Sequence, residues 1–258
     1  MLYLHCGGEN MLKILSKIAG GINKLRRGKT SAVILCAGAS TRFSNGKDSK
    51  QLALVQGQPV ILRTIKAFEA SDSISEIILV VRKEDVDSIK RLVCENRIQK
   101  ISCIVIGGET RQSSALRGFK HVGEKSRYVA IHDGARCLVT PEIIENVIKE
   151  ADIHKAATAA TKVTDTIKLS DENGFISKTV DREYLWSVQT PQVFEKKLYM
   201  TSAYYCKDKG LLATDDCMLV ENAGFKVKLV ETGKENIKIT VHDDINLANQ
   251  ILLSRGEK

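Results

Sequence analysis

The stretch "ILCAGASTRFSNGKDSK" at 34–50 runs from apolar residues into a loop that mixes small residues with cations. Ala37, Gly38 and Ala39 leave room for backbone amides to approach phosphate oxygens, and Arg42 and Lys50 add mobile positive charge. That combination suits polyphosphate binding, yet neither common phosphate loop fits. The GK[ST] ending of a Walker A loop is missing, as is the third glycine of a dinucleotide fingerprint.

Two further loops follow apolar runs: "IGGETRQSS" at 106–114 and "HDGAR" at 132–136. Gly108, Glu109 and Ser114 offer backbone groups and a hydroxyl suited to the amino donor and carbonyl acceptors of a cytosine edge. Asp133 closes its apolar run, where it either orients a phosphate-bound magnesium ion through water or caps a turn.

Positioning these loops falls to a regular alternation that begins at residue 31. The segments "SAVILCA", "EIILVV", "ISCIVI", "RYVAIHD" and "AATAATKV" read as strands, and "PVILRTIKAFEA", "EDVDSIKRLVCE", "RQSSALRGFKHV" and "PEIIENVIKEA" as the helices between them. Continuous β-branched runs separated by helices predict an α/β fold with a mostly parallel sheet covered on both faces. Ligands then sit beyond the carboxyl ends of the strands, so the loops after Ala37, Ile106 and Asp133 border one pocket. Residues 164–182 break the rhythm with two alternating segments around Asn173-Gly174, a hairpin signal. With Ile167, Leu169, Phe175 and Ile176 on a ribbon, this arm either folds back on its own domain or embraces a second subunit. Helices are expected around 195–208 and 214–223, a strand at "FKVKLVE", and a closing helix from about 241. Thr240 and Asp243 suit an N-cap pair there, so "HDD" at 242–244 reads as a cap rather than a metal site.

At 258 residues the chain suffices for one large domain, and 43% hydrophobic with 27% charged residues is ordinary globular composition. No apolar run reaches the roughly 20 residues of a membrane span. Seven cysteines, an odd number and never CxxC, suggest neither a zinc site nor a disulfide framework, which favours reduced thiols in the cytoplasm. The net charge of +8 is uneven: residues 1–30 hold six Lys/Arg against Glu9 alone, a basic N-terminal extension ahead of a domain over 31–258. Leu12, Leu15, Ile18, Ile22 and Leu25 permit an amphipathic helix in that extension, either an appendage packed on the domain or a membrane-surface or targeting segment. The rest of the chain carries too little charge, and at 5% too few aromatics, to predict a nucleic-acid surface.

Taken together, "AGASTRF", Lys50-Gln51, "GGETRQSS", "HDGAR", "TDTIK", "TVDREYLWSVQTPQVF", "TDD" at 214–216 and "ENIKIT" resemble, in order and over about 31–255, the 2-C-methyl-D-erythritol 4-phosphate cytidylyltransferase family. The resemblance implies a nucleotidyltransferase-type sheet, a β-arm exchanged in a homodimer, and transfer of CMP from CTP to methylerythritol phosphate with Mg2+ held mainly by the CTP phosphates. A cytidylyltransferase for another polyol phosphate, such as ribitol 5-phosphate, would share the CTP half of the pocket. Position by position, Arg42 and Lys50 match the pair at the α-phosphate, and Arg182 and Lys238 the residues that place the second substrate. Ala37, Gly38, Gly108, Glu109 and Ser114 match nucleotide-binding positions, and Asp133, Arg136, Thr166 and Thr190 match substrate-pocket positions, with Thr166 and Arg182 reaching across the dimer. Ser113 stands where the family commonly has aspartate, and Cys137 where it commonly has proline.

Overall fold

Strand β1 (Lys29–Cys36) is buried at every position after Lys29. It is seen in a computed structural model that describes residues 29–38, 41–44 and 49–257. Nearly all of the basic extension, residues 1–28, lies outside the described residues. The burial of β1 follows from cover on both faces. Val33 and Leu35 enter one core cluster, whereas Ala32, Ile34 and Cys36 enter another on the opposite face.

Chain order then gives α1 (Val60–Ala70), β2 (Ile74–Val81), α2 (Val86–Glu95), β3 (Ile101–Ile106), α3 (Arg111–Phe119), β4 (Ser126–Asp133), α4 (Pro141–His154) and β5 (Ala156–Lys162). A two-stranded ribbon, β6 (Lys168–Ser170) and β7 (Ile176–Thr179), leads to β8 (Trp186–Glu195), α5 (Lys196–Asp208), α6 (Asp216–Asn222), β9 (Lys228–Glu231) and α7 (Asp243–Ser254). Seven strands form the main sheet in the order β9-β5-β8-β4-β1-β2-β3. All its pairings are parallel except those of β8, which runs antiparallel to both β4 and β5.

One face is covered by α1, α2 and α4 through Ile61, Ile65, Phe68, Ile89, Val147 and Ile148. The other is covered by α3, α5 and α6 through Phe119, Leu198, Tyr199 and Val220. Burying each such side chain is worth roughly 1.5–3 kcal/mol. A third cluster, containing Phe43, Val60, Leu138, Ile239 and Leu252, fastens α7 beneath the loops at one edge.

Two local expectations are corrected and one element is new. Residues 186–195, read in sequence only as a motif, form the antiparallel strand β8 in the middle of the sheet. The strand expected over 225–231 is confined to Lys228–Glu231. The start of α7 is not capped by Thr240 with Asp243: the Asp244 carboxylate accepts the Thr240 and Val241 amides at 2.6 and 2.9 Å. As for the ribbon, residues 168–179 are all exposed, with Phe175 at 73% and Ile176 at 67%. It does not fold back onto its own domain.

Helix α3 crosses β1 and β2 at Gly118, where an added Cβ would lie 2.5 Å from Val33 Cγ1 and 2.6 Å from Val80 Cγ2. Gly118→Ala gains about 1 kcal/mol of helix propensity but overpacks the core by roughly 1–3 kcal/mol. Urea unfolding is expected to show a net loss of stability; an unchanged or higher midpoint would mean that the helix stands off the sheet.

Candidate active site

Because β1, β2, β3 and β4 are parallel, their carboxyl ends share one edge: Cys36 pairs with Val81, Val81 with Ile106, and Leu35 with Asp133. The loops leaving these ends enclose a cleft of about 490 Å³. Arg42, Lys50 and Lys238 line it, with Ala37, Gly38, Gly108, Glu109, Ser114 and Asp133. Four of the residues singled out in sequence stand elsewhere. Arg136 and Thr190 brace the wall from behind, and Thr166 and Arg182 are exposed near the foot of the ribbon, where Arg182 donates to the Thr164 carbonyl at 2.7 Å.

Each loop is fixed by its own chemistry. Arg42 belongs to a single helical turn, Thr41–Ser44, anchored by buried Phe43, whose ring stacks on His242 with centroids 4.0 Å apart. Beside Lys50, the Ser49 hydroxyl donates to Asp85 at 2.9 Å, and Asp85 is gripped by Arg82 through bonds of 2.8 and 3.1 Å. Burial and then the neighbouring Lys238 push the Lys50 ammonium below its ordinary pKa.

The second loop depends on glycine. A Cβ at Gly107 would lie 2.2 Å from the Ala37 Cβ, so the two glycine loops touch only because that atom is missing. The Ser114 hydroxyl accepts the Gly108 amide at 3.0 Å and so holds the loop's own backbone. Thr110 and Ser113 form a reciprocal capping box at the start of α3, so Ser113 serves as the helix's N3 partner.

Asp133 is the hub. Its carboxylate, 8% exposed as a residue, takes Arg111 Nε at 3.2 Å on one oxygen and Lys238 Nζ at 2.7 Å on the other. Burial alone would raise its pKa, but Arg111 and Lys238 outweigh that and hold the carboxyl far below the usual range. Arg111 also donates to Asp216 at 2.5 Å, and Asp216, 1% exposed, accepts the Tyr199 hydroxyl at 2.7 Å. Sequence reasoning passed over Arg111 and Asp216, although both lie inside stretches it had marked, "GGETRQSS" and "TDD". Arg82 and Thr110 also line the cleft and had no reading of their own; Gln51, quoted only in the Lys50-Gln51 motif, and Thr240, read as a helix cap, line it too.

Lys238 is brought to Asp133 by a segment tied down at two points. Ile239 N donates to Ala135 O at 2.8 Å, and Arg136 Nη1 to Asn236 O at 2.8 Å. Asn236 in turn donates to Thr190 O at 2.8 Å and to Gln189 Oε1 at 2.9 Å. Thr190 Oγ1 accepts the Asp133 amide at 3.0 Å and meets His132 Nδ1 at the same distance. The other ring nitrogen of His132 reaches the Arg136 carbonyl at 3.3 Å, so Nε2 carries the proton and Nδ1 accepts from Thr190. Cationic groups in a pocket bordered by the Ala37-Gly38 and Gly108-Glu109 loops, with Glu109 and Asp133 as its described carboxylates, can hold a polyphosphate and a second phosphorylated molecule.

The model of the family 2-C-methyl-D-erythritol 4-phosphate cytidylyltransferase (IspD) matches residues 30–254. A protein of that name from Caldanaerobacter subterraneus subsp. tengcongensis is 47% identical over 223 residues, covering 86% of this chain and 98% of its own. Another from Alkaliphilus oremlandii is 42% identical, covering 89% and 97%. Among solved structures, 4-diphosphocytidyl-2C-methyl-D-erythritol synthase from Anaerococcus prevotii superposes with a TM-score of 0.78 at 34% identity, covering 88% of this chain and 99% of its own.

Burial pushes the fully enclosed His132 down from 6.5 to about 3. Between those values the unfolded chain binds the extra proton, so stability is full above about pH 6.5 and falls on acidification, by up to about 1.4 kcal/mol per pH unit. The His132 ring NMR signals are expected to stay constant from pH 8 to pH 5; a midpoint near 6.5 would place the ring in solvent.

Proposed function

The chain belongs to the 2-C-methyl-D-erythritol 4-phosphate cytidylyltransferase family, and from that premise we infer that it transfers CMP from CTP to 2-C-methyl-D-erythritol 4-phosphate. Pyrophosphate leaves and 4-diphosphocytidyl-2-C-methyl-D-erythritol forms, a step of non-mevalonate isoprenoid precursor synthesis. The observation that carries the site assignment is the cleft itself, where Arg42 and Lys50 from the connection after β1 and Lys238 from the segment before α7 meet at one carboxyl edge of the sheet.

In the reaction, a lone pair on the methylerythritol phosphate oxygen attacks the α-phosphorus of CTP, and the bond from that phosphorus to the bridging oxygen breaks. With a second pKa near 6, the attacking monoester is already mostly deprotonated at neutral pH, so no protein base is required. The obstacle is repulsion between anions, which fixed positive charge and in-line placement overcome. We assign Arg42 and Lys50 to the α-phosphate and the departing pyrophosphate, and Lys238 with Arg182 to the attacking phosphate. Ala37, Gly38 and the Gly108-Glu109 loop held by Ser114 would border the cytidine and its phosphates.

Mg2+ fits this arrangement as a companion of CTP. Both oxygens of Asp133 carry ion pairs, which leaves that carboxylate suited to a water-mediated position and the phosphates as the direct ligands. When bound, the ion neutralises charge on the triphosphate. Arg136 and Thr190 act on the reaction through the segments they brace.

Thr166 and Arg182 lie beside an exposed ribbon rather than in the cleft of their own protomer. Phe175 and Ile176, left uncovered on that ribbon, would be buried in a homodimer whose arm reaches the partner's cleft. The six described cysteines are free, which suits an enzyme of the reducing cytoplasm.

A pyrophosphate-release assay with CTP and a panel of polyol phosphates tests the activity. Turnover is expected with 2-C-methyl-D-erythritol 4-phosphate and not with ribitol 5-phosphate; the reverse preference would overturn the substrate assignment. With the preferred substrate, Lys50→Ala or Arg42→Ala should lose about 3 kcal/mol of barrier stabilisation, on the order of a hundredfold in kcat. Full activity in Lys50→Ala would remove that residue from the mechanism.

Arg182→Ala should chiefly raise KM for the sugar phosphate. Mixing inactive Lys50→Ala with Arg182→Ala subunits should restore sites that pair an intact cleft with an intact arm; absence of any recovery on subunit exchange would confine Arg182 to its own protomer.

A further inference from the structure

Away from the cleft, α3 and α5 leave between them a groove of about 360 Å³. Its floor is apolar, with Leu116 and Phe119 from α3 and Met200 and Tyr204 from α5. Met200 is 41% and Tyr204 63% exposed, so the protein itself leaves this surface uncovered among the described residues. Arg117, Lys120 and Lys207 line the same groove, and among the described residues no acidic one does. Among the described residues no carboxylate is paired with any of the three.

Size and charge together select the occupant. A volume of about 360 Å³ lies just above the roughly 300 Å³ at which small-molecule pockets begin. A protein segment forming a stable interface needs on the order of 1,000 Å² of buried surface. The chain's own residues 1–28 are basic, with Glu9 as their single acid, and would meet like charge here. What complements an apolar floor with an unbalanced positive rim is a compact molecule with an apolar tail and one anionic head.

Arg117 is prepared for such a head. Its Nη1 donates to the Gly107 carbonyl at 2.7 Å and to the Ile106 carbonyl at 3.4 Å. The guanidinium is thereby held in place with other N–H groups still to offer, and a bound anion immobilises little further side-chain freedom.

We propose that the α3–α5 groove is a second small-molecule site that takes a monoanionic amphiphile of medium-chain carboxylate type. The tail packs on Leu116, Phe119, Met200 and Tyr204, and the carboxylate meets Arg117, Lys120 and Lys207. Helix α3, capped by Thr110, carries Arg111 and Ser114 to the catalytic cleft, so one helix borders both sites.

Isothermal titration of the intact protein with decanoate, in the absence and presence of saturating CTP, tests the site. The expected result is one saturable site whose affinity CTP does not abolish, weakened at least about tenfold in the Lys120→Glu/Lys207→Glu double variant and about tenfold for uncharged 1-decanol. Both lysines are surface residues outside the cleft, and retained CMP transfer by the variant verifies its fold. The proposal is overturned by absence of saturable binding, by displacement of decanoate by CTP, which would put it in the catalytic cleft, or by equal affinity in the charge-reversed variant.

Discussion

Cations gathered in one cleft repel one another in the absence of a counter-charge. Asp133 is the counter-charge that lets them share a cleft: one oxygen holds Arg111 and the other Lys238. Its cost is burial of a carboxylate, which the two cations more than offset. Lys238 is consequently held in place through its counter-ion, and the Lys50 pKa is depressed first by burial and then by the neighbouring Lys238 charge. Among the described residues neutralisation is incomplete, since Arg42 and Lys50 also line the cleft and the only described carboxylates there are Asp133 and Glu109.

The fold serves that hub from both sides. Parallel pairing puts the ends of β1, β2, β3 and β4 on one edge, so the four loops that follow reach the cleft with short leads. Antiparallel β8 then carries Gln189 and Thr190 beside β4. Thr190 fixes the Asp133 backbone, and Gln189 and Thr190 O hold Asn236, two residues before Lys238. Asp216, reached from α6, fastens the far end of Arg111. Removal of Arg111 would leave buried Asp216 without its cation and Asp133 with Lys238 alone, a loss of the order of 3–5 kcal/mol.

Much of this was legible in the chain. Continuous apolar runs announced the parallel strands because a strand covered on both faces needs no polar alternation. Small residues followed by cations marked the loops because a backbone that approaches phosphate leaves little room for side chains. What escaped notice obeyed tertiary rather than local rules. Residues 186–195 contain Pro191, which argues against a central strand, yet the ladder to β5 breaks between Val188 and Gln192, so the proline falls where the register is interrupted. Arg111 and Asp216 are 105 residues apart, and nothing near either one reveals the other. Arg136 and Thr190 were marked for the pocket by resemblance alone, and their place behind its wall follows from hydrogen bonds that only the folded chain displays.

The most direct measurement is a crystal structure of the protein with CTP, Mg2+ and 2-C-methyl-D-erythritol 4-phosphate bound together. Convergence of the cations on the reacting groups predicts the CTP α-phosphate within hydrogen-bond reach of Arg42 and Lys50, and the incoming phosphate at Lys238 while Asp133 still holds Arg111. A triphosphate seated outside this cleft, or a Lys50 and Lys238 that remain distant from both phosphates, would contradict it.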